Sequence, residues 1–378
     1  MKKDLKIIDL FCGCGGFGLG AEMAGFHTHI AVDIDETLQS SYKVNFPSSI
    51  VLQADLAAVD SSFWASHIGD IAIDGVIGGP PCQGYSRMGI SDKMDPRRSL
   101  LTDFFRNVNL IRPKFFIMEN VEGLLDKKNI YELNNAISIL NTNYIVTEPF
   151  IIDASSIGAP TKRKRVLLIG YLPEYFHYID IKKLKEISLE KVSVKDAISD
   201  LSSPITQSFD KTDLGWGKYN RKKKISEFAR KMRKAPPHHL GSIVAKRKLL
   251  TGKVSGFFDT LHTEEVILRY ATLKPGDTDK ISRAKKLDWA GLCPTLRAGT
   301  GADKGSFQAV RPIHPDVPRV ITVREAARLQ GFPDWFTFHA TKWHSFRMIG
   351  NSVSPIVSEF VLNYVKEHLK ISELRKVV

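Results

Sequence analysis

The sequence has few cysteines and no long apolar stretch. Four cysteines among 378 residues are too few for a disulfide framework in a chain of this length. No run approaches the roughly 20 apolar residues that a membrane-spanning helix needs. The apolar part of the N-terminal MKKDLKIIDLF is short and enters a glycine loop without a small-residue cleavage site, which predicts a strand and not a signal peptide. These features predict a cytoplasmic globular protein that does not enter the membrane.

Acidic residues are scarce in one part of the chain. Residues 211–300 contain 21 lysines and arginines but 8 aspartates and glutamates. This excess equals the net charge of the whole chain, +13, so the remainder is neutral overall. The excess includes RKKK at 221–224, RKMRK at 230–234 and KRK at 246–248. A solvated surface would explain such runs, but their confinement to one segment favours a nucleic-acid partner.

Short apolar runs alternate with amphipathic segments up to about residue 172. The runs are LKIIDLF, THIAVDI, SIVLQAD, IDGVIGG, KFFIMEN, YIVTEPFII and RVLLIGY. This alternation predicts an α/β fold with a doubly wound, mostly parallel sheet and helices on both faces. The chain is longer than one core usually allows, and its lysine-rich middle lacks periodicity. We therefore predict a first domain over 1–174, completed by 335–378, and a smaller domain over 175–334.

The stretch DLFCGCGGFGLG predicts a loop that binds a nucleotide-like ligand. Gly13, Gly15 and Gly18 match the dinucleotide pattern, and Asp33 follows about twenty residues further on. Glycines let the backbone approach a ligand, and the N-terminus of the following helix favours an anion. Asp33 would hold ribose hydroxyls, and Asp55, which ends the third predicted strand, would accept from an adenine amine. Both a nicotinamide cofactor and S-adenosylmethionine carry such groups.

Cys12 and Cys14 lie near His27 and His29 in the sequence, which raises the question of a zinc site. A C-x-C pair inside a cofactor loop lacks the spacing of paired zinc ligands. We therefore expect no metal.

Another cysteine stands in GGPPCQGYS, residues 78–86, directly after a Pro-Pro pair that cannot continue a strand. Such a position suits a side chain that is presented to a substrate. Glu119 and Asn120 end the apolar run KFFIM, so the carboxyl group would lie in a partly dehydrated place and could act as a proton donor. A helix cap is the structural alternative for this pair. Cys82 and Glu119 on adjacent parallel strands would form a nucleophile and an acid.

These motifs, taken in order, resemble the DNA (cytosine-5) methyltransferases of bacterial and phage restriction-modification systems. The matching stretches are DLFCGCGG, VDID, Asp55, GGPPCQGYS, DPRRSLL, MENV, GAPTKRKRVLLIG, Thr295-Leu296, RPIHPDVPRVITVREAARLQGFPD and GNSV. Residues from about 175 to 290 have no recognisable counterpart in that family. The resemblance implies a Rossmann-like catalytic domain and methyl transfer from S-adenosyl-L-methionine to carbon 5 of a cytosine that is flipped out of duplex DNA.

The resemblance also implies catalytic roles. The thiolate of Cys82 would attack carbon 6 of the ring, and Glu119 would hold ring nitrogen 3 and the exocyclic amine. Arg163 and Arg165 match the R-x-R of the family, in which an arginine beside the site stabilises the base and the thiolate. Asn120 completes the catalytic set.

Cofactor contacts follow from the same matching. They fall on Phe11, Cys12, Gly13, Gly15, Gly16, Asp33, Ile34, Asp55, Leu56, Pro80, Leu100, Asn351 and Val353. The sequence departs from the family at three places. Asp33 stands where glutamate is more common, Thr161 where glutamine is usual, and Ile34 where an aromatic residue often covers the adenine. These departures would weaken cofactor affinity without removing a catalytic group.

The basic middle segment would be the target-recognition region on double-stranded DNA. Expected DNA contacts are Gln83, Ser86, Arg221, Lys222, Lys223, Lys224, Thr295 and Arg297. We expect a monomer, with a restriction endonuclease acting on the same site as its companion. The alternatives are a tRNA cytosine-5 methyltransferase, a catalytically inactive relative and a nicotinamide-dependent oxidoreductase. The long basic segment and PPCQ favour DNA over tRNA, and the intact catalytic residues argue against an inactive protein.

Overall fold

The computed structural model describes residues 5–81, 99–208, 210, 212–220, 224–298 and 311–370. These residues form twelve β-strands and thirteen α-helices. The strands are β1 (Leu5–Leu10), β2 (Phe26–Asp33), β3 (Ile50–Gln53), β4 (Gly75–Gly78), β5 (Phe115–Asn120), β6 (Ile145–Val146), β7 (Phe150–Asp153), β8 (Thr161–Lys162), β9 (Lys164–Tyr171), β10 (Gly217–Lys218), β11 (Lys253–Val254) and β12 (Cys293–Pro294). The helices are α1 (Gly16–Met23), α2 (Glu36–Asn45), α3 (Ser61–Ile68), α4 (Leu100–Ile111), α5 (Ile130–Ile137), α6 (Ile181–Glu186), α7 (Val194–Ile198), α8 (Glu227–Met232), α9 (Ile243–Leu250), α10 (Glu264–Thr272), α11 (Val323–Gln330), α12 (Lys342–Asn351) and α13 (Pro355–Glu367).

Eight strands form the central sheet in the order β3-β2-β1-β4-β5-β9-β6, with β7 also paired to β9. The strands β1 to β5 pair in parallel, whereas β9 is antiparallel to β5, β6 and β7. The predicted α/β fold with a mostly parallel sheet is confirmed. The run YIVTEPFII, predicted as one strand, forms both β6 and β7, which pair in succession along β9.

Apolar residues alternate between the two faces of the sheet. Ile7 and Ile77 pack in the core that includes Phe17 of α1, whereas Ile8 and Val76 pack on the opposite side. The second core also contains aromatic residues of α3 and α4, including Trp64, Phe104 and Phe105. Because successive side chains of a strand point to opposite faces, a sheet covered on both sides needs these continuous apolar runs.

The order of the strands places a crevice beside β1. From β1 the chain builds β2 and β3 on one side of the sheet and then β4 and β5 on the other. Ligands of such sheets bind outside the carboxyl ends of the strands at this change of direction. The glycine loop follows β1, and the Pro-Pro loop follows β4.

The C-terminal helix α13 packs on α1. The hydroxyl of Ser358 donates a 2.6 Å hydrogen bond to the carbonyl of Phe17. A Cβ atom at Gly20 would lie 2.3 Å from the Cβ of Ser358, so the two helices approach closely because residue 20 lacks a side chain. This packing brings the residues before α13 next to the glycine loop.

The segment between β9 and α11 contains short helices and strands of two residues. Strand β12 pairs in parallel with β8, and β10 pairs antiparallel with β11. The buried guanidinium of Arg328 lies 2.6 Å from Asp334 and 3.2 Å from Asp200 and thereby joins α11 to the region of α7. The domain boundaries remain a prediction. Within the described residues, no helix has the length and apolar character required to cross a membrane.

Candidate active site

A cavity of about 370 Å³ lies at the carboxyl ends of β1, β2, β4 and β5. Twelve of the thirteen predicted cofactor residues line it: Phe11, Cys12, Gly13, Gly16, Asp33, Ile34, Asp55, Leu56, Pro80, Leu100, Asn351 and Val353. The exception is Gly15, the loop residue that caps α1, which does not line the cavity. A Cβ atom at Gly15 would stand 2.5 Å from the Phe46 ring, and its φ of 97° is a left-handed conformation that glycine tolerates.

The glycine loop is held by Asp33 and by the C-terminal part of the chain. The amide of Gly13 donates a 2.8 Å hydrogen bond to Oδ2 of Asp33. A Cβ atom at Gly16 would lie 1.8 Å from Oγ of Ser352, so a larger residue would push the GNSV segment away. Phe11, at the end of β1, adopts a φ of 55°, which is unusual for a bulky residue and typical of strained positions at functional sites.

The carboxylates around the loop differ in their surroundings. Asp9 is buried and accepts hydrogen bonds from the Gly18 amide and the Tyr42 hydroxyl, and burial raises its pKa to about 8. Burial also raises the pKa of Asp33, although hydrogen bonds from the Asp35 and Gly13 amides oppose this shift. Asp55, in contrast, is exposed at the cavity.

Two residues missed by the sequence analysis close one side of the cavity. Nη2 of Arg347 lies 2.6 Å from Oδ2 of Asp35, and both residues line the cavity. Asp35 also caps α2 by accepting from the Leu38 amide. Ile34, beside this pair, is 64% exposed and offers the cavity an aliphatic side chain where the family often has an aromatic one. The D-E-T at the start of α2 could have indicated Asp35 as a cap, but nothing nearby indicates Arg347.

Cys12 and Cys14 are free thiols buried at the glycine loop. Burial raises the pKa of Cys14 to about 12 and that of Cys12 well above its ordinary value. The expectation that this C-x-C pair binds no metal stays a prediction.

Glu119 and Asn120 lie at the opposite end of the cavity from the exposed Asp55 and next to the Pro-Pro loop. Oε1 of Glu119 lies 2.7 Å from Nε of Arg165. A Cβ atom at Gly79 would lie 3.1 Å from Oε2 of Glu119, so the loop passes directly over this carboxylate. The amide of Asn120 donates to the Pro80 carbonyl at 3.3 Å. The last residues of β5 therefore support the loop that leads to Cys82.

Arg163 has a different environment from Arg165. It is 2% exposed, and its terminal nitrogens donate to the carbonyls of Leu296, Gly350 and Ser352 at 3.2, 3.1 and 2.8 Å. It thus joins three segments that are far apart in the sequence. Both arginines line the cavity, and Arg165 pairs with Glu119.

The Thr295–Arg297 stretch runs beside the arginines. The Thr295 hydroxyl donates to the Lys162 carbonyl, and the hydroxyl of the buried Thr161 donates to the Cys293 carbonyl at 3.3 Å. A Cβ atom at Gly350 would lie 2.3 Å from the Arg297 carbonyl carbon, while the Arg297 side chain is exposed. The Arg297 backbone therefore packs against Gly350, which lines the cavity, and Thr295 lies beside β8.

Several predicted residues lie outside the described part of the chain. The described stretch that leads to Cys82 ends at Pro81. They are Cys82, Gln83, Ser86, Arg221, Lys222 and Lys223. Lys224 is described and exposed.

The chain matches a known family over nearly its whole length. Residues 5–367 match the model of the C-5 cytosine-specific DNA methylase family. The chain belongs to this family. The enzyme is therefore a DNA cytosine-5 methyltransferase, and the mostly parallel sheet with its strand-end cavity is the fold of that family.

Individual relatives cover nearly the whole methyltransferase. The chain is 40% identical over 375 residues to the type II methyltransferase M.XorII of Xanthomonas oryzae pv. oryzae, spanning 96% of this chain and 85% of that protein. It is 32% identical over 376 residues to the type II methyltransferase M.DdeI of Desulfomicrobium norvegicum, spanning 94% of this chain and 87% of that protein.

Solved structures show the same fold. A crystal structure described as a DNA modification methyltransferase encoded within an E. coli prophage superimposes with a TM-score of 0.86 at 40% identity, covering 97% of this chain and 99% of the other. The S. pombe Dnmt2 methyltransferase shares the fold, with a TM-score of 0.61 at 15% identity. The superposition covers 97% of this chain and 99% of the other.

Proposed function

We propose that this methyltransferase transfers a methyl group from S-adenosyl-L-methionine to carbon 5 of a flipped-out cytosine through a covalent bond to Cys82. One observation carries the proposal: twelve of the predicted cofactor residues, the Glu119–Arg165 pair and the two prolines before Cys82 line a single cavity. A cofactor and a base held in this cavity would lie within reach of each other, which is the main requirement of a direct group transfer.

The cavity fits S-adenosyl-L-methionine. A Cβ atom at Gly13 would meet no protein atom within 4 Å, so the loop leaves open space there, and the backbone at the N-terminus of α1 suits a carboxylate. Asp33 would hold the ribose hydroxyls while it supports the Gly13 amide, and the exposed Asp55 would accept from the adenine amine. The cofactor supplies an electrophilic methyl group on a sulfonium sulfur.

Carbon 5 of cytosine is a weak nucleophile until carbon 6 is attacked. We infer that the Cys82 thiolate forms a bond to carbon 6, while Glu119, held by Arg165, binds ring nitrogen 3 and the exocyclic amine. Carbon 5 then takes the methyl group as the methyl–sulfonium bond breaks. Loss of the proton from carbon 5 to a base such as water restores the ring double bond and releases the thiolate. Asn120 would position Cys82 through the Pro80 carbonyl.

We propose that residues 1–174 and 335–378 form the catalytic domain and that 175–334 recognise the target sequence. The support is the confinement of the net positive charge to residues 211–300 and the packing of the Arg297 backbone against Gly350, which lines the cavity. Lysines would contact phosphates, and Arg297 and Thr295 would lie close to the flipped base. The names of the relatives favour a type II restriction-modification enzyme, with an endonuclease of the same specificity as companion.

Labelled S-adenosylmethionine tests the proposal. The enzyme is incubated with it and with duplex DNA, and the DNA is digested to nucleosides. We expect label in 5-methylcytosine, and none with the Cys82→Ser variant. Label in another nucleoside, or in tRNA offered in the same assay but not in DNA, would refute the proposed reaction.

A further inference from the structure

A buried carboxylate lies at the end of α1 remote from the glycine loop. The side chain of Glu22 is 1% exposed. Its Oε1 accepts from the Thr28 amide at 2.7 Å and lies 3.4 Å from Nδ1 of His27. Its Oε2 lies 2.7 Å from Nε2 of His239. Two imidazoles from separate parts of the chain therefore meet at one buried acid.

The charge of Glu22 has no permanent counterion among the described residues. No lysine or arginine in that part of the chain forms an ion pair with it; its partners are the two histidines. Burying a carboxylate is costly unless a positive charge compensates it. The two imidazoles offer nitrogen lone pairs as ligands, and a bound cation would satisfy the acid and both rings.

The geometry suits a metal ion. One ligand atom from each of Glu22, His27 and His239 can be chosen so that all three lie within 4.8 Å of one another. Bonds of about 2.0–2.1 Å in a tetrahedral site separate neighbouring ligand atoms by roughly 3.3 Å, so small rotations of the rings are sufficient. The side chains of His27 and His239 are 25% and 41% exposed, which leaves them room to turn and leaves a position open to water.

We propose that Glu22, His27 and His239 form a binding site for a divalent transition-metal ion of the Zn²⁺ type. Two imidazoles and one carboxylate with an open position are a donor set that such ions accept. The site is separate from the cavity described above, so it does not depend on the proposed catalytic mechanism.

The position of the site indicates a structural role. His239 belongs to the segment that precedes α9, and this segment already contacts the catalytic part through the Gly241 amide, which donates to the Asn45 carbonyl at 2.7 Å. A metal at Glu22 and His27 would add a stronger connection between the same two parts. Because α1 begins at the cavity, the ion would fix the basic segment relative to the cofactor site.

Titration of the metal-free full-length enzyme with Zn²⁺ tests the site. We expect one Zn²⁺ per chain for the wild type and for His238→Ala, the matched control, since His238 is the exposed neighbour whose ring is not part of the cluster. His239→Ala and His27→Ala should bind at least tenfold more weakly, because even the loss of an outer-shell partner lowers metal affinity about 10–100-fold. Equal affinity in the wild type and His239→Ala would overturn the proposal, as would the absence of stoichiometric binding.

Two further measurements separate the site from the thiols and from misfolding. Co²⁺ bound at this site should show visible absorption without the near-ultraviolet thiolate band, and that spectrum should disappear in His239→Ala. Zn²⁺ should raise the Tm of the wild type and of His238→Ala but not that of His239→Gln, a variant that keeps a hydrogen-bonding group near Glu22. A thiolate band in the wild type, or equal Zn²⁺ stabilisation of His239→Gln, would assign the metal elsewhere.

Discussion

Glu119 and Arg165 form an ion pair across two antiparallel strands, with Oε1 of the acid 2.7 Å from Nε of the guanidinium. The acid ends β5, and β9 lies alongside with Glu119 opposite Leu167. Two neighbouring backbones therefore hold both charged groups in place before any substrate arrives. Such preorganised groups stabilise charge that develops during a reaction without further rearrangement.

Replacing Glu119 by glutamine should lower turnover about 10²–10⁴-fold, the range that general acids contribute. An amide cannot favour a protonated ring nitrogen, yet it preserves the size of the side chain, so cofactor binding should change little. Steady-state methylation and calorimetric titration with S-adenosylmethionine measure the two effects. Glu122→Gln, outside the cavity, serves as the control. Turnover within a factor of two of the wild type would assign Glu119 to a structural role.

The two arginines of the R-x-R should respond differently to alanine. Arg163→Ala removes three hydrogen bonds to buried carbonyls, each worth about 1 kcal/mol, so unfolding should become easier by roughly 3 kcal/mol. Arg165→Ala should lower Tm less but reduce turnover by about 10²-fold or more, as the loss of one preorganised donor does. Tm and kcat of both variants check this division. Similar losses of both quantities in the two variants would refute it.

The buried Asp9 should make stability depend on pH. Burial raises its pKa from 3.8 to about 8, so the folded state binds the proton more tightly than the unfolded state. The resulting stabilisation is complete below about pH 4 and is lost as the pH rises towards 8. Asp9→Asn removes this dependence and keeps an oxygen for the Gly18 amide. Between pH 5 and 8 the Tm of the wild type should therefore fall more than that of Asp9→Asn. The exposed Asp70→Asn should behave like the wild type, and parallel curves for all three would contradict the assignment.

Charge removal in the basic run tests the predicted DNA contacts. Changing Arg221, Lys222, Lys223 and Lys224 to glutamine should weaken binding to all duplexes alike. Each lost phosphate contact should reduce the slope of log affinity against log salt by about 0.9, and the methylated sequence should stay the same. The exposed pair Lys127 and Lys128, changed to glutamine, is the control. An unchanged slope in the four-residue variant would mean that this run is a solvated surface.

The sequence predicted the sheet because buried parallel strands are continuous apolar runs, and each run from LKIIDLF to KFFIMEN became a strand. It did not predict the middle segment, because strands of two residues such as β10 and β11 contain too few residues to show a period.

Local sequence patterns also identified most of the residues that line the cavity. Arg347, however, lies 312 residues from Asp35, and His239 lies 217 residues from Glu22. Tertiary packing brings these pairs together, so no local sequence pattern can predict them. The cofactor contact of Gly15 stays a prediction; this residue does not line the cavity, and a Cβ atom there would meet the Phe46 ring.

The most direct test of the proposed mechanism uses duplex DNA with 5-fluorocytosine at the target position, S-adenosylmethionine and the unmodified enzyme. Fluorine cannot leave carbon 5 as a proton does, so the bond between Cys82 and carbon 6 should persist. We expect a complex that survives denaturants, and mass spectrometry should place the DNA on the peptide that contains Cys82, with none in Cys82→Ser. The absence of an adduct at a site that the enzyme methylates, or its location on another cysteine, would contradict the covalent mechanism.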